Sequence, residues 1–221
     1  VTLTNGFYLG KYEVTQAQYE AVMTSNSNGL STTPSQWPNN PNRSVERVSW
    51  ADAQIFLTRL NAQQSANIPA GWAYVLPTES QWEYACRAGT TTAYSWGNDI
   101  NATRANYDAS GLGQTRDVGH YASNPWGFFD MHGNVWEWTA DWYQAAYPTG
   151  NPVVDPTGPA SGSLRSRRGG SWYNVGTALR SAERVDFHAP SSRHRTIGFR
   201  VAFQFTGTHT ADLNSTVQLD M

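Results

Sequence analysis

The sequence predicts an α+β fold, on three observations. Helix-start patterns occur three times in the first half of the chain, ahead of most of the strand-like runs. Those strand-like runs are short, and long turn-rich stretches separate them. The 221 residues include 19 glycines and 10 tryptophans, which suits a loop-rich fold whose core is filled by rings rather than long helices. With 39% hydrophobic and 14% charged residues the chain is neither disordered nor supercharged, and its length fits one large domain.

Taken in order, Phe7-Tyr8-Leu9 reads as the first strand. Thr15-Gln16-Ala17-Gln18 is a capping-box pattern that opens a helix to about Met23, with Tyr19, Val22 and Met23 on one face. Ser49-Trp50-Ala51-Asp52 opens a second, where Ala53, Phe56, Leu57 and Leu60 follow helical spacing. Ala73 to Val75 is strand-like. Thr78-Glu79-Ser80-Gln81 then opens a third helix, whose inner stripe is Trp82, Ala85 and Cys86. Val135 to Trp142, Arg168 to Trp172 and Phe199 to Phe205 complete the strands. The stretches Ser25 to Arg43, Thr91 to Asp117 and Tyr147 to Ser166 are long for loops, so they are either functional or separately tied down. Residues 1–205 form the domain, and 206–221 read as a polar tail.

The densest chemistry lies in Gly127-Phe128-Phe129-Asp130-Met131-His132-Gly133-Asn134-Val135-Trp136-Glu137-Trp138. A period of two puts Trp136 and Trp138 on one strand face and Val135 and Glu137 on the other, so Glu137 points inward. A buried carboxylate is costly unless it is paired or holds a metal. Asp130 is a natural second oxygen donor, and calcium takes six to eight oxygens, including carbonyls from irregular turns. A Glu137–Arg ion pair answers the same need. The pattern leaves both partners open.

Several classes are excluded. A net charge of −2 without a basic run argues against nucleic acid as a partner. No apolar run approaches a membrane span. Cys86 is the single cysteine, which rules out an internal disulfide and any multi-cysteine metal site. Nothing beside it would lower its pKa, so it reads as a small buried hydrophobe. The histidines have no metal-ligand spacing and read singly as surface residues. The chain opens at Val1 without an initiator Met, which suggests a piece of a longer polypeptide.

Six motifs in order, from Tyr8-Leu9-Gly10-Lys11-Tyr12-Glu13-Val14-Thr15 to Gly198-Phe199-Arg200, resemble the formylglycine-generating enzyme (sulfatase-modifying factor) domain. The others are Val48-Ser49-Trp50-Ala51-Asp52-Ala53, Leu76-Pro77-Thr78-Glu79-Ser80-Gln81-Trp82-Glu83-Tyr84-Ala85, Gly133-Asn134-Val135-Trp136-Glu137-Trp138-Thr139 and Arg168-Gly169-Gly170-Ser171-Trp172. The resemblance implies a C-type-lectin-like core of small sheets, two or three helices and irregular chain held by calcium. It implies one calcium ion on Asp130, Gly133, Val135 and Glu137. A second ion near Asn106 and Tyr107 lacks its carboxylate, because Ser110 stands there and Leu112 falls at its carbonyl position, unless Asp108 substitutes. The family's oxidases carry a cysteine pair after Gly-Gly-Ser that binds copper, and soft thiolates suit Cu(I). Here the first of those positions is Asn174, so no copper and no oxidase chemistry of that kind is expected.

Between Tyr173 and Thr196 a regular frame alternates with positions of no consistent character. This layout resembles target proteins of diversity-generating retroelements, which display a variable ligand surface on the same scaffold. It implies a ligand-binding face of Tyr173, Asn174, Val175, Thr177, Val185, Asp186, Phe187, His188, Ser192, His194, Arg195 and Thr196. Rigid aromatics and Arg dominate binding hot spots, and loops on a rigid scaffold carry function. The function expected is therefore a non-catalytic binding module for a protein or other macromolecular ligand, on a bacterial cell surface or exported. A formylglycine-generating oxidase and a purely structural domain are the alternatives. The family's usual first strand is not found ahead of Val1, and a tail with Val217 and Leu219 buried would replace it.

Overall fold

Three helices form where the capping patterns place them. In this computed structural model, which describes residues 1–146, 149, 153–184 and 188–207, they are α1 (Gln16–Met23), α2 (Trp50–Gln63) and α3 (Glu79–Arg87). Each begins after a Thr or Ser (Thr15, Ser49, Thr78) whose side chain accepts from the N3 amide. The N3 side chain in turn accepts from the amide of that Thr or Ser. The buried stripes are Tyr19, Val22 and Met23 on α1, Ala53, Phe56 and Leu57 on α2, and Trp82, Ala85 and Cys86 on α3. Leu60 is only partly buried and packs against the core from the end of α2.

The strands make two three-stranded sheets. In the first, β6 (Ala202–Phe205) lies between β1 (Phe7–Leu9) and β2 (Trp72–Val75), antiparallel to both. In the second, β3 (Trp136–Trp142) is central, antiparallel to β4 (Arg165–Arg168) and parallel to β5 (Ile197–Gly198). The main core lies under α1 and α2. There Phe56 stacks on Tyr19 at 5.5 Å and meets Phe199 edge-on at 5.2 Å.

Three expectations need correction. The strand expected over 168–172 occupies Arg165–Arg168 instead, because Gly169 and Gly170 take positive φ and turn the chain out of extended form. The strand expected over 199–205 is broken into β5 and β6, with Arg200 between them turned to buried partners. The strand expected from Val135 begins at Trp136, and Trp136, Glu137 and Trp138 are all buried, as befits a central strand covered on both sides. No helix among the described residues is long and apolar enough to cross a membrane. Val217 and Leu219 lie outside the described residues.

Candidate functional site: a polar knot beneath a loop face

The turn before β3 is held by Asn134, a buried residue at positive φ. Its Nδ2 donates to Glu13 Oε2 at 2.6 Å and Ser44 Oγ at 2.7 Å. Its Oδ1 accepts from Arg116 N at 2.9 Å and Asn106 Nδ2 at 3.1 Å. One amide thus ties the start of the chain and the 91–117 loop to β3. Gly133 is required beside it, since a Cβ there would run into the Asn106 carbonyl oxygen.

Glu137 is fully buried and takes Arg200 bidentately, with both N–O distances 2.7 Å, while Trp82 Nε1 donates to its Oε2 at 2.7 Å. The Arg200 guanidinium also donates to the carbonyls of Gly10, Lys11 and Phe129 at 2.9–3.3 Å. Every N–H of the buried Arg200 guanidinium thus has an acceptor, as a charge so enclosed requires. The ion-pair partner left open by the sequence is therefore present.

Whether a cation also fits turns on charge and lone pairs. Burial pushes the Asp130 carboxyl up to about 6 and Glu13 well above the usual range, and in both the charge of Glu137 adds to the effect. Three carboxylates thus face one guanidinium. Glu137 uses three of its four acceptor directions, and Asp130 accepts from Gly119 N at 2.6 Å. The one acceptor direction left on Glu137 and those left on Asp130 are oxygen donors of the kind a hard cation takes. No group of three or more His, Cys, Asp or Glu side chains is placed to hold one among the described residues. Such an ion would lean on the carbonyls of Gly133 and Val135. At the second expected position Ser110 Oγ donates to Asn106 Oδ1 at 2.9 Å, so the flanking groups bond each other directly.

The loops after β4 stand on this knot. Asn174 is partly buried and structural. Its Oδ1 accepts from Trp136 Nε1 at 2.9 Å and Ser171 Oγ at 2.6 Å, and its carbonyl accepts from Asp108 N at 3.1 Å. Tyr94 Oη donates to Gly176 O at 2.8 Å, and Leu179 fills the space left by Gly170. Two carboxylates at helix N-termini anchor the remainder. Glu79 of α3 holds Arg184 at 2.6 and 2.7 Å, and Asp52 of α2 holds Arg193 at 2.6 and 2.7 Å.

Of the expected contact residues, Tyr173, Val175, Thr177, His194 and Arg195 are exposed, and His188 and Ser192 partly so. Tyr173 leans on Trp172 at 5.5 Å, and the Arg195 guanidinium lies 5.4 Å from the Trp172 ring and 5.9 Å from the Tyr173 ring. Thr196 is buried, with its hydroxyl on His194 Nδ1 and its carbonyl on Trp136 N, so it belongs to the frame. Val185, Asp186 and Phe187 lie outside the described residues. Burial pushes His188 down to about 4 and His194 below its usual range, with the charges of Arg167 and other arginines adding, so both are neutral at pH 7.

Sequence reading missed Trp37, whose ring meets Trp172 edge-on at 5.3 Å and extends this aromatic ledge. It also misplaced His132, which is buried: Nδ1 donates to Leu179 O at 2.7 Å and Nε2 accepts from Ser95 N at 3.1 Å. Cys86 Sγ lies 3.6 Å from that Nε2. Burial raises the thiol to about 12 and lowers the imidazole to about 4, so both are neutral, the reverse of an activated thiolate pair.

Two small sheets, three capped helices and long tied loops define an α+β fold of the C-type-lectin-like kind. The chain belongs to the family of the sulfatase-modifying factor enzyme 1-like domain, whose model matches residues 1–205. The formylglycine-generating enzyme of Streptomyces coelicolor is 34% identical over 193 residues, covering 79% of this chain and 55% of that protein. The chain spans about half the length of the formylglycine-generating enzymes it matches. A stretch of 130 residues, 58% of this chain, is 39% identical to 20% of the serine/threonine-protein kinase pkn1 of Chlamydia caviae. Among solved structures, Treponema denticola variable protein 1 superposes with a TM-score of 0.77 at 29% identity, over 92% of this chain and 86% of that one.

Proposed function

We propose that this chain is a non-catalytic binding module that contacts a protein ligand through the loops after β4. The observation that carries this reading is Asn174. At the position where the family's oxidases place their first copper cysteine, an amide clamps Trp136 beneath an exposed ledge of Trp37, Tyr173, Val175 and Arg195. The likeness to a variable protein supports variation at the exposed positions around that ledge. The kinship with formylglycine-generating enzymes favours the oxidase alternative, against which stands a single, buried, protonated cysteine.

A Cu(I) titration in the presence of a cysteine-containing sulfatase peptide separates the two. No stoichiometric copper uptake and no aldehyde product are expected, and finding both would overturn the binding-module reading. Sequencing sister copies of the locus is the companion measurement. Substitutions should concentrate at Tyr173, Val175, Thr177, 185–188, Ser192, His194 and Arg195, and spare Arg168, Trp172, Arg184 and Arg193. Calcium on Asp130, Gly133, Val135 and Glu137 is part of the same proposal, supported by the buried carboxyl oxygens that cluster around Arg200 with acceptor directions to spare.

A further inference from the structure

A second concavity lies away from the ledge residues, between the N-terminal arm, α3 and the segment that follows β3. It has a volume of about 700 Å³, within the range of small-ligand sites. We infer that this cleft is a separate binding site for an ammonium group carried on an apolar or aromatic stem, and that Asp141 and the rings around it receive that group.

The stem would meet Phe7, Tyr84, Trp126 and Trp142, which line the cleft. Tyr84 and Trp126 meet edge-on at 4.9 Å and are 53% and 45% exposed, an arrangement that leaves large apolar surface in water. Together with Val1 on the same wall, they account for three of the eight exposed large hydrophobics among the described residues. One face of Trp142 is occupied by the Arg165 guanidinium at 3.5 Å, sandwiched against Trp50 at 3.7 Å, so the ligand would meet the ring elsewhere.

The charge of the ligand follows from the acids. Three carboxylates line the cleft. Both oxygens of Glu79 are held by Arg184, and those of Glu83 by Arg87 and Arg168. Asp141 differs. It is 3% exposed and accepts from Glu79 N at 2.7 Å; the Arg184 and Arg165 guanidiniums act on it electrostatically, but Arg184 is gripped by Glu79 and Arg165 is stacked between two tryptophans. Burial, with the charge of Glu79 adding, pushes its carboxyl up to about 7, and an arriving ammonium would restore its charge. A neutral ligand could hydrogen-bond to Asp141 but would lack the charge attraction that an ammonium gains from the ionised carboxylate.

The test uses the full chain and NMR titration with phenethylamine, with a short lysine-containing peptide blocked at its N-terminus, and with 2-phenylethanol as neutral control. The first two distinguish a small amine from a lysine side chain as the source of the ammonium. At least one amine should shift the Trp126 indole resonance. Asp141→Asn, which keeps the acceptor for Glu79 N, should weaken that binding about tenfold or more. Trp126→Ala, at an exposed position, should weaken it without loss of fold. The ledge variant Tyr173→Ala should leave it unchanged. Absence of amine binding at millimolar concentration, equal binding of the alcohol, indifference to both cleft variants, or loss of binding in Tyr173→Ala would each overturn the inference.

Discussion

At the scale of single residues, two buried carboxylates define what can be measured. Glu137 has a protein counter-ion in Arg200, and the question is whether that guanidinium suffices for three acids. If calcium completes the balance, an ion present at a hundred times its dissociation constant contributes about 2.7 kcal/mol. For a domain of this size that is a shift in melting temperature of roughly 5–10 °C. Dialysis against a chelator should lower the calorimetric Tm by that amount and added calcium should restore it; an unchanged Tm means that Arg200 alone balances the knot. Glu46 poses a different case. It is fully buried, its Oε2 has no hydrogen-bond partner, and burial pushes its carboxyl up to about 7. The folded state then holds the proton more tightly than the unfolded chain. Its contribution to stability is complete below the ordinary carboxylate range and is lost as pH rises through about 7. Glu46→Gln keeps an acceptor for Gln36 N, so its stability relative to the wild type should rise between pH 5 and pH 8, on the order of 1 kcal/mol or more. Urea midpoints of both proteins at the two pH values decide this, and a pH-independent difference would refute it.

At the scale of elements, the helices were legible because their signals are local. Each capping box lies within four consecutive residues, and the structure reproduces all three. The ends of β4 and β6 were not, because what ends them is distant: Gly170 makes room for Leu179, and Arg200 turns to Glu137. Trp37 escaped notice because its value depends on Trp172, brought to it only by folding. Helix starts also serve the contact loops. Asp52 accepts from Ser49 N to cap α2 and grips Arg193, so one side chain fixes both helix and loop. Asp52→Asn should cost about 1–3 kcal/mol, the range for weakened caps and charged hydrogen bonds. Hydrogen exchange should show the larger loss of protection at residues 192–195 rather than within α3. Equal loss in both would mean that Asp52 supports the core generally.

For the whole molecule, stability and recognition sit in different layers. The polar knot around Asn134 and Arg200 is buried, and the ledge rests on it through Asn174 and Trp136. Surface substitutions away from such anchors change stability by no more than about 0.5 kcal/mol. The double variant Tyr173→Ala/Val175→Ser should therefore keep its unfolding midpoint while losing its ligand. A large drop in stability would mean that these side chains are part of the core, and the separation of layers would fail. The family fold was readable from ordered motifs. The second cleft was not readable at all, since Phe7, Tyr84, Trp126 and Trp142 meet only in three dimensions.

The place of β6 between β1 and β2 bears on synthesis at the ribosome. β1 emerges early and β2 well before the middle of the chain, yet neither can pair until Ala202–Phe205 has left the exit tunnel. Arg200, the counter-ion of Glu137, arrives in the same late stretch. Until then Glu137 lacks its counter-ion and two strand edges stay open, the state most exposed to aggregation. Completion of the fold thus waits for the last strand, and ribosome-stalled chains ending before residue 200 should remain sensitive to protease.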